Sequence, residues 1–150
     1  MTHLVVFQLQ DHEYALPASR VAEVLRMVAL TPVPEAPTWL PGVLNLRGFV
    51  VPVVDLRTRL GITAAAYTLN TPIIVTNGSD RRLGLVADAM VDVVSLPVSA
   101  IERFDREATD QSAVGALART DNRVILLLDL DHLQASVPDL VQEEGGDDGC

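Results

Sequence analysis

The sequence is short of the residues from which most active sites are built. Its single cysteine, Cys150, stands at the end of an acidic, glycine-rich stretch, so no intrachain disulfide can form and redox chemistry has no support. The three histidines, His3, His12 and His132, fall at the terminus, in a turn and in the last helix, with no partner at ligand spacing. That pattern reads as solvated imidazoles and not as a metal site. Gly42, Gly48, Gly61, Gly78 and Gly84 stand singly, so none builds a phosphate-cradling loop, and no Ser-Gly elbow or Cys/His arrangement is present. Positive charge is scarce as well. Eleven basic residues face twenty carboxylates, for a net charge of -9, which disfavours a nucleic-acid partner and an anionic membrane surface. Residues 1–3 do not open a basic, then apolar, leader, and no apolar run approaches the roughly 20 residues that span a bilayer. The expectation is a soluble, cytoplasmic chain without a cofactor.

What is present is apolar and strand-like. The 150 residues, 49% of them hydrophobic, suffice for one domain with a fair core. Residues 42–60 stand out: two apolar runs meet at Arg47-Gly48 and close at Asp55-Leu56. Val43, Asn45 and Arg47 share one face of an extended strand and Leu44 and Leu46 the other. Gly48 supplies a positive φ that Arg47 would resist, giving a tight hairpin with Arg47 at its tip and Asp55 at its end. Similar pairs are expected at residues 4–9 with 14–17, at 73–76 with 83–86 around Asn77-Gly78, and at 114–118 with 124–128. Pro17 and Ser19 announce a short helix carrying Val21, Val24, Leu25 and Val28 at helical spacing, with Arg20, Glu23 and Arg26 on its polar side. Met90, Val93 and Val94 fit a helical turn or a strand. Four prolines make residues 31–41 an extended connector anchored by Trp39 and Leu40. Pro52 implies an edge strand or a bulge. Residues 102–111 read as a surface loop, 129–140 as a closing helix and 142–150 as a disordered acidic tail.

The two halves of the chain echo one another. Residues 14–17 with Val21, Glu23 and Val24 align with 83–86 and Met90, Asp92 and Val93 at a shift of 69; residues 42–44 align with 115–117, and 53–56 with 127–130, at shifts of 73 and 74. Each half supplies about five short strands and one short helix, so the sequence predicts two small, similar β-barrels, whose closure leaves few open edges.

Candidates for chemistry are few. Asp55 and Asp129 recur at equivalent places and would form a carboxylate pair only if they met in one pocket; capping of the helical turn that follows each is the stronger reading. Arg47, flanked by Leu46 and Phe49, suits a directed bond to a partner carboxylate or carbonyl, or an intramolecular pair with Glu23 or Asp55.

These residues carry a resemblance. Residues 7–9 with Tyr14-Ala15-Leu16-Pro17, then 19–24, Pro37 and the run 42–57, continued by 83–88 and Leu127-Leu128-Asp129-Leu130, resemble the CheW family of bacterial chemotaxis coupling proteins over roughly residues 4–136. The resemblance implies a mainly β fold of two five-stranded SH3-like barrels, intertwined in a single domain over 1–141 with approximate divisions 15–70 and 71–136. It also implies a non-enzymatic adaptor at membrane-associated receptor arrays, linking chemoreceptor tips to the regulatory domain of the histidine kinase CheA. Carried across, the receptor-binding positions are Val21, Glu23, Val24, Gly42 and Arg47. The kinase-binding positions, expected on the second barrel, are Pro72, Ile73 and Met90 with Ile101 and Phe104. Glu102 and Arg106 place an acid before a base where the opposite order can occur. A coupling protein of a related pathway, such as type IV pilus motility, and a carboxylate-dependent enzyme are the competing readings.

Overall fold

The structure, a computed structural model, describes residues 1–77, 81–104 and 113–138. The strands among them are β1 Thr2–Leu9, β2 His12–Pro17, β3 Val21–Arg26, β4 Gly42–Leu46, β5 Phe49–Asp55, β6 Pro72–Thr76, β7 Leu83–Val86, β8 Ala89–Leu96, β9 Ile101–Arg103, β10 Val114–Arg119 and β11 Val124–Leu128. Two short helices, α1 Leu56–Arg59 and α2 Leu130–Ser136, follow β5 and β11. Asp55 and Asp129 cap them, each accepting a backbone N–H of the first turn, from Arg57 and His132 respectively.

Five strands form one sheet in the order β3-β6-β7-β5-β4, and six form the other in the order β8-β1-β2-β11-β10-β9. The two orders superpose under the sequence repeat, β3 on β8, β6 on β1, β7 on β2, β5 on β11 and β4 on β10. Both carry one parallel pair at the same place, β5 with β7 and β2 with β11. Even β9 has a counterpart: Thr31 makes a single bridge to Val43, as Arg103 pairs with Ala116. Neither sheet is built from one half of the chain. The β6–β7 hairpin completes the sheet of β3–β5, and the β1–β2 hairpin completes that of β8–β11, so a cut near residue 70 does not separate the sheets.

Three apolar clusters follow from this exchange. One fills the first barrel, with Leu44, Leu46, Val51, Val53, Ile73, Val75 and Val86. A second fills the other barrel, around Leu4, Val6, Ala15, Ala118 and Ile125. The largest lies between them and draws on both, including Phe7, Leu16, Val54, Leu56, Ile74, Leu85, Leu130 and Leu133. Strands such as β5 and β6 are buried on both faces for this reason, one facing a barrel interior and one the shared core. Leu40 belongs to the shared core and Trp39 packs against it, as expected of the connector's anchors.

Four local expectations are corrected. Residues 21–26 are a strand, not a helix: Val21, Glu23 and Leu25 are half-buried while Ala22, Val24 and Arg26 face out. Its ladder to β6, from Val21↔Thr76 to Arg26↔Pro72 with a bulge after Val21, satisfies the backbone, which a two-turn helix leaves half unsatisfied. Only Ala18–Arg20 keeps a helical turn. Met90, Val93 and Val94, which fit either a helical turn or a strand, lie on a strand, β8, paired with β1. Pro52 is not on an edge strand: β5 sits between β7 and β4, and Pro52 falls one residue before the β7 ladder begins at Val53. Arg47 itself takes a positive φ of 51°, beside Gly48 at 89°. Residues 102 and 103 of the expected surface loop belong to a strand, β9. The turn at 78–80, most of the loop after Phe104, the last residues of the expected closing helix and the acidic tail lie outside the described residues.

Candidate docking surface

On the first barrel, Leu46 pairs directly with Phe49, leaving Arg47-Gly48 as a two-residue loop with both φ angles positive, the geometry of a type I′ turn. The Asn45 side-chain carbonyl accepts the Gly48 N–H at 3.0 Å and braces it. Arg47 reaches from this tip to the carboxylate of Glu23 on β3. Because β4 and β3 stand at opposite ends of the sheet order, the pair spans the place where the barrel closes. With the Arg47 side chain 64% exposed, such a pair is worth only about 0–1 kcal/mol. Its effect is to aim the guanidinium.

Around it lie apolar side chains that folding alone does not account for. Val24 is 44% exposed and Phe49 62% exposed, and the Arg82 guanidinium sits 5.5 Å from the Phe49 ring centre. Val21 is half-buried against the shared core, and Gly42 is buried. A Cβ at Gly42 would lie 2.5 Å from the Thr31 carbonyl oxygen, so this glycine permits the backbone at Thr31 to approach the start of β4 and offers no surface of its own. Of the five expected receptor-side positions, Glu23 and Arg47 are brought together, Val24 faces outward beside Glu23 on β3, Val21 is half-buried against the shared core, and Gly42 is buried at the end of β4 away from the tip. Phe49 follows the Arg47-Gly48 loop directly and carries Arg82 against its ring. Phe49 was legible as an apolar residue flanking the tip, whereas Arg82 is brought in from β7's approach, thirty-three residues further on.

The second barrel repeats the construction. Asp92, the counterpart of Glu23, is held by Arg123, which also binds Glu13 at 2.9 Å, and Val93 and Val124 are 63% and 56% exposed nearby. The two carboxylates raise the Arg123 pKa. Arg119 does not take this place but pairs with Glu102 at 3.1 Å. An acid–arginine pair between edge strand and hairpin is therefore common to both barrels, and the tight Arg47-Gly48-Phe49 tip is what distinguishes the first.

The expected kinase-side positions separate. Pro72 and Ile73 are buried in β6, paired with Arg26 and Leu25 of β3, so both belong to the first barrel's sheet, and Ile73 packs in that barrel's interior. The repeat exchange is the reason: β6 follows the first half in sequence but completes its sheet. Met90 is half-buried against the shared core. Ile101 and Phe104 are on the second barrel, lining a cavity of about 520 Å³ with Leu4, Leu127 and Asp129, and Phe104 is 41% exposed. Arg106 lies outside the described residues.

Asp55 does not contribute to that cavity. It is enclosed at the end of β5, where Arg57 donates to both its oxygens, Nε to Oδ1 and Nη2 to Oδ2, each at 3.0 Å. Tyr67 donates its hydroxyl to Oδ2 at 2.8 Å. Arg57, 1% exposed, also binds Asp88 at 2.9 Å, and Asp88 accepts the Gln10 N–H in the β1–β2 turn. Burial alone would raise the Asp55 pKa, but the bonds from Arg57 and Tyr67 and the guanidinium charge bring it below the usual value. Burial and the Asp55 carboxylate push the Tyr67 hydroxyl up to about 12. The sequence disclosed Asp55 as a cap. It did not disclose Arg57, since only the fold shows that Asp88 and Tyr67 converge on it. Among the described residues no group of three or more His, Cys, Asp or Glu is placed to hold a metal, and no helix is long and apolar enough to cross a membrane.

Two SH3-like barrels sharing one core, with exposed apolar side chains rimmed by charge, are the build of a protein that presents surfaces to other proteins. The CheW-like domain family matches residues 3–137. The chain is 37% identical over 131 residues to the Chemotaxis protein CheW of Rhizobium meliloti (strain 1021), a match covering 85% of this chain and 84% of that one. Its fold matches the crystal structure of the scaffolding protein TtCheW from Thermoanaerobacter tengcongensis with a TM-score of 0.78 and 33% identity, over 85% and 88% of the two chains. Protein FrzA of Myxococcus xanthus is 35% identical over 95 residues, 63% of this chain and 59% of that one. The chain belongs to the CheW-like family of chemotaxis coupling and scaffolding proteins.

Proposed function

We propose that this chain is a non-enzymatic adaptor that couples chemoreceptor cytoplasmic tips to the regulatory domain of a CheA-type histidine kinase, in the cytoplasm at receptor arrays. The observation that carries the receptor half is the exposed Arg47–Phe49 tip held to Glu23, with Val24 exposed next to Glu23 on β3. It suits an amphipathic helix laying its apolar side between charged rims. For the kinase half, Phe104 and Ile101 on the second barrel are the reachable positions, Met90 is half-buried against the shared core, and Pro72 and Ile73 drop out. The adaptor reading is favoured over a carboxylate enzyme because Asp55 is locked by Arg57 and Tyr67 while Asp129 faces a different cavity.

Arg47→Glu turns the pair with Glu23 into a repulsion at an exposed tip. It is expected to abolish capture by a receptor tip while leaving the circular dichroism spectrum unchanged. Phe104→Asp is expected to spare receptor capture and reduce co-elution with the kinase regulatory domain. Unchanged capture by Arg47→Glu would overturn the receptor assignment. The likeness to FrzA favours one second reading, the same coupling role in a related chemosensory pathway such as type IV pilus motility. Reconstitution with kinases and receptors of both pathways from the same cell separates the two.

A further inference from the structure

Each barrel is closed by strands from both halves of the chain, and the halves are joined once, by residues 61–71. This connector contains no strand or helix, residues 63–70 are exposed, and Leu69 is 83% exposed. The Thr68–Thr71 bonds are internal to it. What ties it to the body lies mostly at its two ends: Gly61 N–H to the Thr58 carbonyl at 3.1 Å and Ile62 N–H to the Arg57 carbonyl at 2.7 Å at one, Met27 N–H to the carbonyl of the buried Thr71 at 2.8 Å at the other, with Tyr67 between them. Tyr67 is the connector's polar tie to the seam between the barrels, with its hydroxyl on Asp55 and its ring 5.4 Å from the Arg57 guanidinium, while the Ile62 side chain packs against the shared core at the connector's start.

We infer that residues 61–71 are the hinge of a strand-exchanged dimer whose partner is a second copy of this chain, and that Tyr67 is the latch holding the hinge closed in the monomer. Every ladder between the halves, β1 with β8, β2 with β11, β3 with β6 and β5 with β7, forms equally well when residues 1–60 come from one copy and 72–138 from another. No new surface is required, and the exchange closes on itself with two-fold symmetry, so it stops at two copies. Eleven residues reach roughly 35 Å when extended, enough for the hinge to leave one body and enter the next. The monomer is favoured because the tether gives the second half a local concentration in the millimolar range. Releasing Tyr67 lets the connector extend, and refolding at high concentration then populates the exchange. The dimer presents two Arg47–Phe49 faces on one particle.

The test uses the full chain with a protease recognition sequence in place of the exposed residues 63–66, in Tyr67, Tyr67→Phe and Tyr67→Ala forms. Each is unfolded in urea and refolded at low and high protein concentration, with mass read by light scattering. Tyr67→Ala is expected to give a several-fold larger dimer fraction than the Tyr67 form at high concentration, with Tyr67→Phe, which keeps the ring and loses the hydroxyl, in between. Refolding a mixture of two differently tagged copies and cleaving the purified dimer is expected to yield particles of monomer mass in which the N-terminal piece of one copy holds the C-terminal piece of the other. Monomer at every concentration in all three forms overturns the inference. So does a dimer that keeps its mass after cleavage, since that dimer associates by its faces.

Discussion

Arg57 is the residue on which most of the molecule's polar interior depends. Its guanidinium is enclosed, satisfies both oxygens of Asp55 and reaches Asp88, whose other oxygen is bonded to the opposite barrel's first turn. Arg57→Met leaves Asp55 buried without its partner, and breaking a pair of this kind by removing one member costs about 3–5 kcal/mol. Urea unfolding followed by circular dichroism is expected to show that loss, while Arg20→Met, which removes the exposed pair with Asp131, is expected to shift stability by less than about 1 kcal/mol. The same site fixes a pH dependence. The Asp55 carboxyl titrates lower in the folded chain than in the unfolded one, so its contribution is fully present above about pH 4 and is lost as the pH falls through the folded value. Tyr67 has the opposite sign. Its contribution is full below the unfolded value near 10 and is lost as the pH rises toward about 12. In an Asp55→Asn background the acid-side loss is expected to shrink, and an unchanged acid limb of the urea midpoint would place that loss elsewhere.

At the scale of the element, the β4–β5 hairpin carries a conflict between stability and use. Arg47 occupies a left-handed conformation that Asn or Gly adopts more readily, and the turn it makes prefers Asn-Gly. Arg47→Asn is therefore expected to raise the urea midpoint, by about 0.5–1 kcal/mol in stability, while removing the pair with Glu23 and weakening receptor capture. A variant that became less stable would show that the Glu23 pair outweighs the turn. The hairpin itself was readable from Leu-Arg-Gly-Phe between alternating apolar residues, and so were the capping aspartates and the repeat. The strand β3 was not readable: Val21, Val24, Leu25 and Val28 fit a helical stripe as well as they fit a bulged strand, and the deciding partner, β6, lies about fifty residues away. For the same reason the expected kinase positions Pro72 and Ile73 went to the wrong barrel. Residue order puts them in the second half, and only pairing shows that they complete the first sheet. The docking face was half legible, since Arg47, Glu23 and Val24 follow from local pattern and resemblance, but Arg82 enters through tertiary structure alone.

Across the whole molecule, the shared core makes the two barrels one cooperative unit, because Phe7, Leu16, Leu85 and Leu133 bury one another across the seam. A chain ending at residue 123 retains every strand of the first barrel yet lacks β11 and α2, which supply Leu128, Leu130 and Leu133 to that core. It is expected to give no cooperative thermal transition, whereas two independent barrels would leave one transition near the full chain's own. Two resolved transitions in the full chain would contradict the single core just as directly. The parallel pairing of β2 with β11 has a further consequence, which concerns biosynthesis. Residues 13–15 wait for residues 125–127 before their sheet can form, so the amino-terminal hairpin emerges from the ribosome many seconds ahead of its partner, at about 5–20 residues per second. Through that interval β1 and β2 offer unpaired edges and the apolar side chains of Leu4, Val6 and Leu9, making the nascent chain a natural client for whatever shields hydrophobic segments at the exit tunnel.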